Sequence, residues 1–447
     1  MAVNQFTVTA AMEAAGRIIK SSLCETDAGW LALIETDNGK RLAWVPKGMN
    51  RVNNLWKGQQ MFTNVKGVTV QVFELNANNA ALVRRIVKWT APKACGKWGT
   101  SIGFSDWLGT AGAAVTSLFA KRELRPVLVE FTPEDSAALG RNFLEAVDTA
   151  TWGVLEAGYK EGYGANATGL KTEEDIVKAL LYGYSMIGLD VSDKINRKIE
   201  LMSDTEVDKR FDEFNDTFKA AVHASYLNQE FKVGSTVIKY TETQLHRIVL
   251  EFGQAIMHVQ FLYNSYLKNT PWDIDFELYL SKPGKALSVA EHFLVANELD
   301  RNNVTLATVC IDPLLEPKSL NEELEAHCAI AAKFGYRLSF RNADLDLVDT
   351  KAVHKYLRGR VHFKLNNILA LSALELMAKE DSGLLAKTAA ASGVSADNMP
   401  SLALAYTKAL NPKAGNMGAA IRAFLDAHHE AYLEIVREKT KAFLAGF

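Results

Sequence analysis

The sequence predicts an α/β protein: a TIM-like (β/α) barrel with a small β-rich N-terminal domain before it and a helical C-terminal extension after it. Three observations predict this. Strand-like and helix-like stretches alternate from about residue 99 onward, hairpin signals crowd the first 98 residues, and the last 65 or so read as helix throughout. Alternation of this kind implies a mostly parallel sheet with helices outside it, and seven or eight such units can close on themselves.

The elements follow in order. In residues 1–98, "GWLALIETDNGKRLAWVPKG" places two apolar runs around "DNG", a hairpin signal, and "GVTVQVFEL" alternates as a half-buried strand does. Residues 99–382 carry seven candidate strands: "TSIGFSD" (100–106), "RPVLVEF" (125–131), "SMIGLD" (185–190), "IDFELYLS" (274–281), "VTLATVCID" (304–312), "YRLSFRN" (336–342) and "VHFKLNN" (361–367). An eighth is missing or irregular, and a long charged insertion occupies 191–240. "KTEEDIVKALLYGY" opens on a capping pair, Thr172 and Asp175, and "TETQLHRIVLEFGQAIMHVQFLYNSYL" keeps a helical period. The tail, 383–447, ends in a helix with one apolar face, expected to pack across the barrel or to form a subunit contact; a homo-oligomer is left open.

One stretch breaks the pattern. "DTATWGVLEAGYKEGYGAN" (148–166) reads as helix yet carries glycines at 153, 158, 162 and 164, with Trp152, Tyr159 and Tyr163 on one face. Each interior glycine costs about 1 kcal/mol against alanine. The expectation is that the segment lies against a sugar-sized pocket, its rings shaping a wall.

Bulk properties narrow the function. Across 447 residues, 50 Lys and Arg face 52 Asp and Glu, which gives no basic excess for nucleic acid or a membrane surface. No run approaches a bilayer span and no signal-peptide pattern opens the chain, so a cytoplasmic location is expected. Cys24, Cys95, Cys310 and Cys328 show no zinc or disulfide spacing, and no two histidines have HExxH spacing.

In parallel α/β folds chemistry sits at the carboxyl ends of the strands. Those ends deliver Asp106, Glu130, Asp190, Glu277, Tyr279, Ser281, Lys282, Asp312, Ser339, Arg341, Asn342, His362 and Lys364. A mixed rim of hydroxyl, amide, carboxylate and cationic groups suits a polyhydroxylated ligand, and Arg341 and Lys282 suit a carboxylate or phosphate on it. Each also has a plainer reading: His362 as a satisfied core histidine, Lys364 as an ion-pair partner, Asp190 as a helix cap.

The region 148–195 resembles the signature of the tagaturonate epimerase family, whose members interconvert tagaturonate and fructuronate, ketohexuronates that differ at C4. The matching positions are Gly140, Arg141, Asp148, 150–154, Gly158, Tyr159, Glu161, Gly162, Gly164, Ala165, Lys171, Asp175, Asp190, Ser192 and Asp193. Asp273, Asp275, Phe276 and Glu277 fit the same alignment, as do His292, His362 and Lys364. The resemblance runs from about 98 to about 380. It implies a TIM-like barrel and a divalent metal that holds the substrate's oxygens. The family's histidines are not kept: "LGTAGAAVT" follows the first strand, and Gly169, Lys194 and Arg341 stand at three further positions, while Ser281 and Lys282 replace an acidic pair.

The expectation is therefore a ketose or ketouronate epimerase or isomerase with no metal and no other cofactor, using aldol-type or lysine-assisted chemistry. Glu277, Lys282, Lys364, Asp190 and Glu130 are its candidate catalytic groups, with the lysines as electrophile or imine formers and the carboxylates as proton carriers. Asp106, Arg141, Tyr159, Lys171, Ser281, Arg341, Asn342 and His362 are its candidate substrate contacts. Two alternatives stand beside it: a metal-dependent tagaturonate epimerase with shifted ligands, and a non-catalytic sugar-binding relative.

Overall fold

The computed structural model describes residues 4–58, 61–65, 67–97, 99–280, 282, 286–311, 317–415 and 417–447. Eight strands close into a parallel barrel: β1 (Thr100–Phe104), β2 (Leu124–Phe131), β3 (Gly164–Leu170), β4 (Met186–Asp190), β5 (Asp275–Tyr279), β6 (Thr308–Ile311), β7 (Arg337–Phe340) and β8 (Val361–Leu365). They run round the barrel in chain order, and β8 pairs back on β1 with His362 opposite Ser101. Helices cover the outer face, so these strands are buried on both sides, and all but β3 read as largely apolar runs.

The missing eighth strand is β3, and it begins inside the stretch read as helix. Helix α1 (Phe143–Ala157) starts on a capping box between Asn142 and Glu145 and stops at Gly158, whose φ of 63° is left-handed. A side chain at Gly158 would also strike the Ser21 carbonyl oxygen at 2.3 Å. Inside α1, a Cβ on Gly153 would sit 3.0 Å from the Ala113 nitrogen, so this glycine lets the helix Gly112–Ser117 pack close. "GANATGL" has too few large apolar residues to announce a strand; it forms one because β2 and β4 flank it on both edges.

The rings of that stretch also face elsewhere. The segment between α1 and β3 enters a strand, so it lies at the amino-terminal end of the barrel, opposite the end where chemistry is expected. Tyr163 donates its hydroxyl to the Thr90 carbonyl at 2.9 Å, and Trp152 packs into the core under the N-terminal sheet. The glycines and rings thus build the junction between the barrel and the N-terminal domain.

That domain is a six-stranded antiparallel sheet spanning 17–73, with the hairpin at Gly39. Helix Gln5–Glu13 covers one face through Val8, Ala11 and Met12. The other face buries Leu31, Leu33 and Trp44 against Leu82, Val83 and Leu155 of α1. Lys40 of the sheet bridges to Glu156 at 2.7 Å and Arg84 of the helix Ala77–Ile86 to Asp148 at 2.7 Å, fastening the N-terminal domain to α1.

Between β4 and β5 the charged insertion folds into α2 (Asp204–Phe211), α3 (Asp216–Tyr226) and a small hairpin, followed by α4 (Glu242–Leu262). Helix α5 (Val289–Arg301) follows β5, and α6 (Ile368–Glu380) follows β8. The last helix, α7 (His429–Leu444), packs on α6 and on the outside of β8, where Phe363 meets the rings of Phe443 at 5.9 Å and Phe447 at 5.3 Å. Among the described residues no helix is long and apolar enough to cross a membrane.

Candidate active site in the barrel

The strands alternate, so every second residue points into the barrel. From β2, β3, β5 and β8 these are Glu130, Asn166, Glu277, His362 and Lys364, each 0–1 % exposed. They form one network. Lys364 Nζ lies 2.5 Å from Glu277 Oε2 and 3.4 Å from Glu130 Oε2. Asn166 donates both hydrogens of its amide, one to each carboxylate, at 3.0 Å. His362 Nε2 meets Glu130 Oε1 at 2.8 Å, and its Nδ1 meets Ser101 Oγ at 2.9 Å. Ser339 and Thr308 donate to Glu277 Oε1 at 2.5 and 3.2 Å. Above this layer Lys364 donates to the Tyr279 hydroxyl, which also bonds Thr168. Glycines make room for the acids: a Cβ on Gly103 would fall 2.4 Å from Glu130 Oε1, and one on Gly188 3.0 Å from Glu277 Oε2.

The charges in this network are mutually held. Burial alone would raise the Glu277 pKa, but the Lys364 ammonium and His362 overcome it and hold the carboxyl down at about 2. Burial would likewise lower Lys364, yet Glu130 and Glu277 keep it well above the ordinary lysine value. Lys364 is therefore an ammonium with no free electron pair, and Glu277 a carboxylate of low basicity. Burial is the main cause raising Tyr279 well above the usual phenol range, so its hydroxyl stays a donor.

The other predicted residues divide by location. Arg341 sits at the mouth, its guanidinium 5.6 Å over the Tyr279 ring. Lys171 and Asp190 pair across the rim at 3.6 Å, and Asp190 also accepts from the Ser192 backbone at 2.9 Å. Asn342, in left-handed backbone, bonds Asn366 and Asn367 and shapes the turn after β7. Asp106 accepts three backbone N–H groups of its own loop, from Gly109, Thr110 and Ala111, and Arg141 donates to the Asp106 and Trp107 carbonyls. Both thereby organise the loop after β1. Lys282 does not enter the barrel: it is buried among Glu291, Glu251 and Glu200 at 2.7, 3.0 and 3.2 Å. Tyr159 is buried at the opposite end of the barrel, in the segment that leads from α1 into β3. Ser281 and Asp312 lie outside the described residues.

Asn166, Thr168, Tyr279 and Ser339 complete the network. Asn166 was hidden by the helix reading of 148–166, and Thr168 by the absence of any strand assigned after it. Their alternation with Ala165, Ala167 and Gly169 was the signal of a strand with a polar inner face.

The central donor set does not fit a divalent ion. Its carboxylates already face an ammonium, and a further positive charge about 4 Å from it would be repelled by about 4 kcal/mol per unit charge at an effective dielectric of 20. Among the described residues, the group of three His, Cys, Asp or Glu whose ligand atoms converge within 4.8 Å lies elsewhere, between the insertion and the start of α4.

The model of the tagaturonate epimerase family matches residues 19–398, so the likeness takes in most of the N-terminal sheet as well as the barrel, beyond the 98–380 expected from motifs. The tagaturonate/fructuronate epimerase of Thermotoga maritima is 26% identical over 371 residues, 80% of this chain and 75% of its own. The native crystal structure of the fructuronate-tagaturonate epimerase from Cohnella laeviribosi superposes with a TM-score of 0.83 at 25% identity, covering 99% of this chain and 100% of the other. A glycerol complex of the same enzyme superposes equally well, with a TM-score of 0.83 over 97% of both chains. A matching family model over this length and a barrel shared from end to end place the chain in the tagaturonate epimerase family.

Proposed function

We propose that this chain interconverts ketohexuronates epimeric at C4, and that its barrel centre does so with a fixed ammonium in place of a metal ion. The observation that carries the reading is Lys364, held between Glu277 and Glu130 and touching the Tyr279 hydroxyl beneath the mouth. The substrate class rests on the family and on the named activities of its members.

The chemistry follows from the substrate. C4 of a 2-ketouronate is β to the carbonyl, so its hydroxyl can drive a retro-aldol cleavage. A base removes the C4 hydroxyl proton, the C3–C4 bond breaks, and its electron pair moves through C2 onto the carbonyl oxygen as an enolate. Rotation of the new aldehyde and re-addition invert C4. Glu277 is too weak a base for the first step, because a base works best near the operating pH. Its role is to position Lys364. The Tyr279 hydroxyl, polarised by the Lys364 ammonium that donates to it, is the donor assigned to the developing enolate oxygen. Asp190, half-buried at the rim and paired with Lys171, is assigned as the proton acceptor by its position, and Arg341 takes the substrate's carboxylate. With Lys364 held as an ammonium, an imine is not part of the reaction.

The test is NMR-followed interconversion of tagaturonate and fructuronate by the purified protein, before and after chelation. Asp190→Asn is expected to lower kcat by 10²–10⁴-fold and Lys364→Met to lower it at least as much, with activity surviving the chelator. Borohydride is expected to trap no adduct. No turnover of either sugar acid, even with added Zn²⁺, Ni²⁺ or Mn²⁺, would sink the enzymatic reading. Activity lost on chelation and restored by one of those ions would sink the metal-free one.

A further inference from the structure

The insertion and the start of α4 carry a second constellation, outside the barrel-centre network. His223 of α3 and His246 of α4 face each other with their Nε2 atoms 2.8 Å apart. Glu242, one turn before His246 on the same face of α4, brings a carboxylate oxygen within 4.8 Å of a ring nitrogen of each histidine. From α2, Asp208 accepts from His246 Nδ1 at 2.7 Å and from the Thr243 hydroxyl at 3.1 Å. The Phe211 ring lies against His246 with centroids 3.8 Å apart and planes within 11°.

Each part has a consequence. The Asp208 bond places the His246 proton on Nδ1 and leaves a lone pair on Nε2, aimed at His223. Carboxylate–histidine pairs of this kind orient a ligating imidazole and raise its basicity. The Phe211 stack fixes the plane of the ring. His246 is buried, His223 half-buried and Glu242 exposed, so the cluster opens to solvent on one side. Two imidazole nitrogens and a carboxylate are a donor set for Zn²⁺ or a neighbouring borderline ion. Two nitrogens about 2.0–2.1 Å from a tetrahedral ion stand about 3.3 Å apart, so the rings need to part by only about half an ångström to admit one.

We propose that His223, His246 and Glu242 bind a divalent ion of the zinc class, with Asp208 as the positioning residue behind His246 and solvent in the fourth place. Such an ion ties α3 to the first turns of α4, and through Asp208 to α2, so that it staples the insertion to the barrel scaffold.

The test uses the full-length chain stripped of metal and titrated with Zn²⁺ against a chromophoric chelator. Wild type is expected to bind one ion tightly and to melt at a higher temperature with Zn²⁺ than without. His223→Ala and His246→Ala are expected to abolish that binding, and Asp208→Asn to weaken it about 10–100-fold. Co²⁺ in the wild-type protein should give the visible absorption of a tetrahedral nitrogen–oxygen site, a readout that needs no variant to fold. The assignment is overturned if wild type takes up no ion more tightly than His246→Ala, which would leave a hydrogen-bonded histidine pair only. It is also overturned if the His223→Ala/His246→Ala double variant keeps a stoichiometric ion. Repeating the chelation test of activity in that double variant separates this site from any metal requirement of the barrel.

Discussion

Lys364→Met removes the cation that touches both buried carboxylates while nearly preserving side-chain volume. The size of the effect follows from Glu277. Its carboxyl is held at about 2 against an ordinary 4.5, a difference that corresponds to about 3 kcal/mol of native-state stabilisation at neutral pH. Truncating one partner of a buried ion pair independently suggests 3–5 kcal/mol. The sign in pH is defined. In wild type the folded-state pKa is depressed, so the contribution is complete above 4.5 and is lost as pH falls through about 2. In the variant, burial without the ammonium raises the folded-state pKa above 4.5, so the carboxyl is tolerated when protonated and penalised as pH rises. The stability deficit of Lys364→Met should therefore be about 3 kcal/mol at pH 8 and much smaller at pH 4. Guanidinium denaturation followed by tryptophan fluorescence and circular dichroism at pH 4, 6 and 8 measures it. Adding Glu277→Gln to Lys364→Met should restore at least about 1 kcal/mol at pH 8, since the stranded charge is gone. A deficit under about 1 kcal/mol at pH 8, or one equal at pH 4 and pH 8, would refute the reasoning.

Other perturbations test other parts of the fold. Burial, reinforced by the Glu291 and Glu200 charges and only partly offset by the Lys282 ammonium, raises Glu251 to about 7; stability from its neutral form is present below 4.5 and lost as pH rises through about 7. Glu251→Gln should thus be more stable than wild type by about 1–3 kcal/mol at pH 8 and indistinguishable below pH 5, and equal melting curves at pH 8 would count against the buried-acid account. Gly158→Ala must place a side chain at positive φ and against the Ser21 carbonyl, so a loss of about 1–3 kcal/mol is expected in thermal or chemical melts. Arg84→Ala strands Asp148, already raised by burial, at the seam between the helix Ala77–Ile86 and α1. Faster limited proteolysis between residues 87 and 99 than in wild type is the expected signature.

Much of this protein was legible without coordinates. Seven barrel strands are near-continuous apolar runs bounded by turn residues, and a chain buried on both faces of a parallel sheet needs nothing less. The "DNG" hairpin and the Thr172 cap are local chemistry, decided within a few residues, and both stand where the sequence placed them. Glu130, Glu277, His362 and Lys364 could be nominated because they stand toward the carboxyl ends of the candidate strands, where a parallel barrel gathers its chemistry.

What only the tertiary structure decided lies where the deciding neighbour is far along the chain. β3 is a strand because β2 and β4 pair with both its edges, not because Gly-Ala-Asn-Ala-Thr-Gly prefers one. Lys282 and Lys364 both stand at the ends of apolar strands, yet one turns outward into three glutamates and the other inward between two. The His223–His246 pair joins residues 23 positions apart on different helices, a spacing that carries no motif. Local propensity acts over a few residues, whereas the field that fixes a buried charge, a histidine tautomer or a ligand set is summed over side chains that only folding brings within a few ångströms of one another.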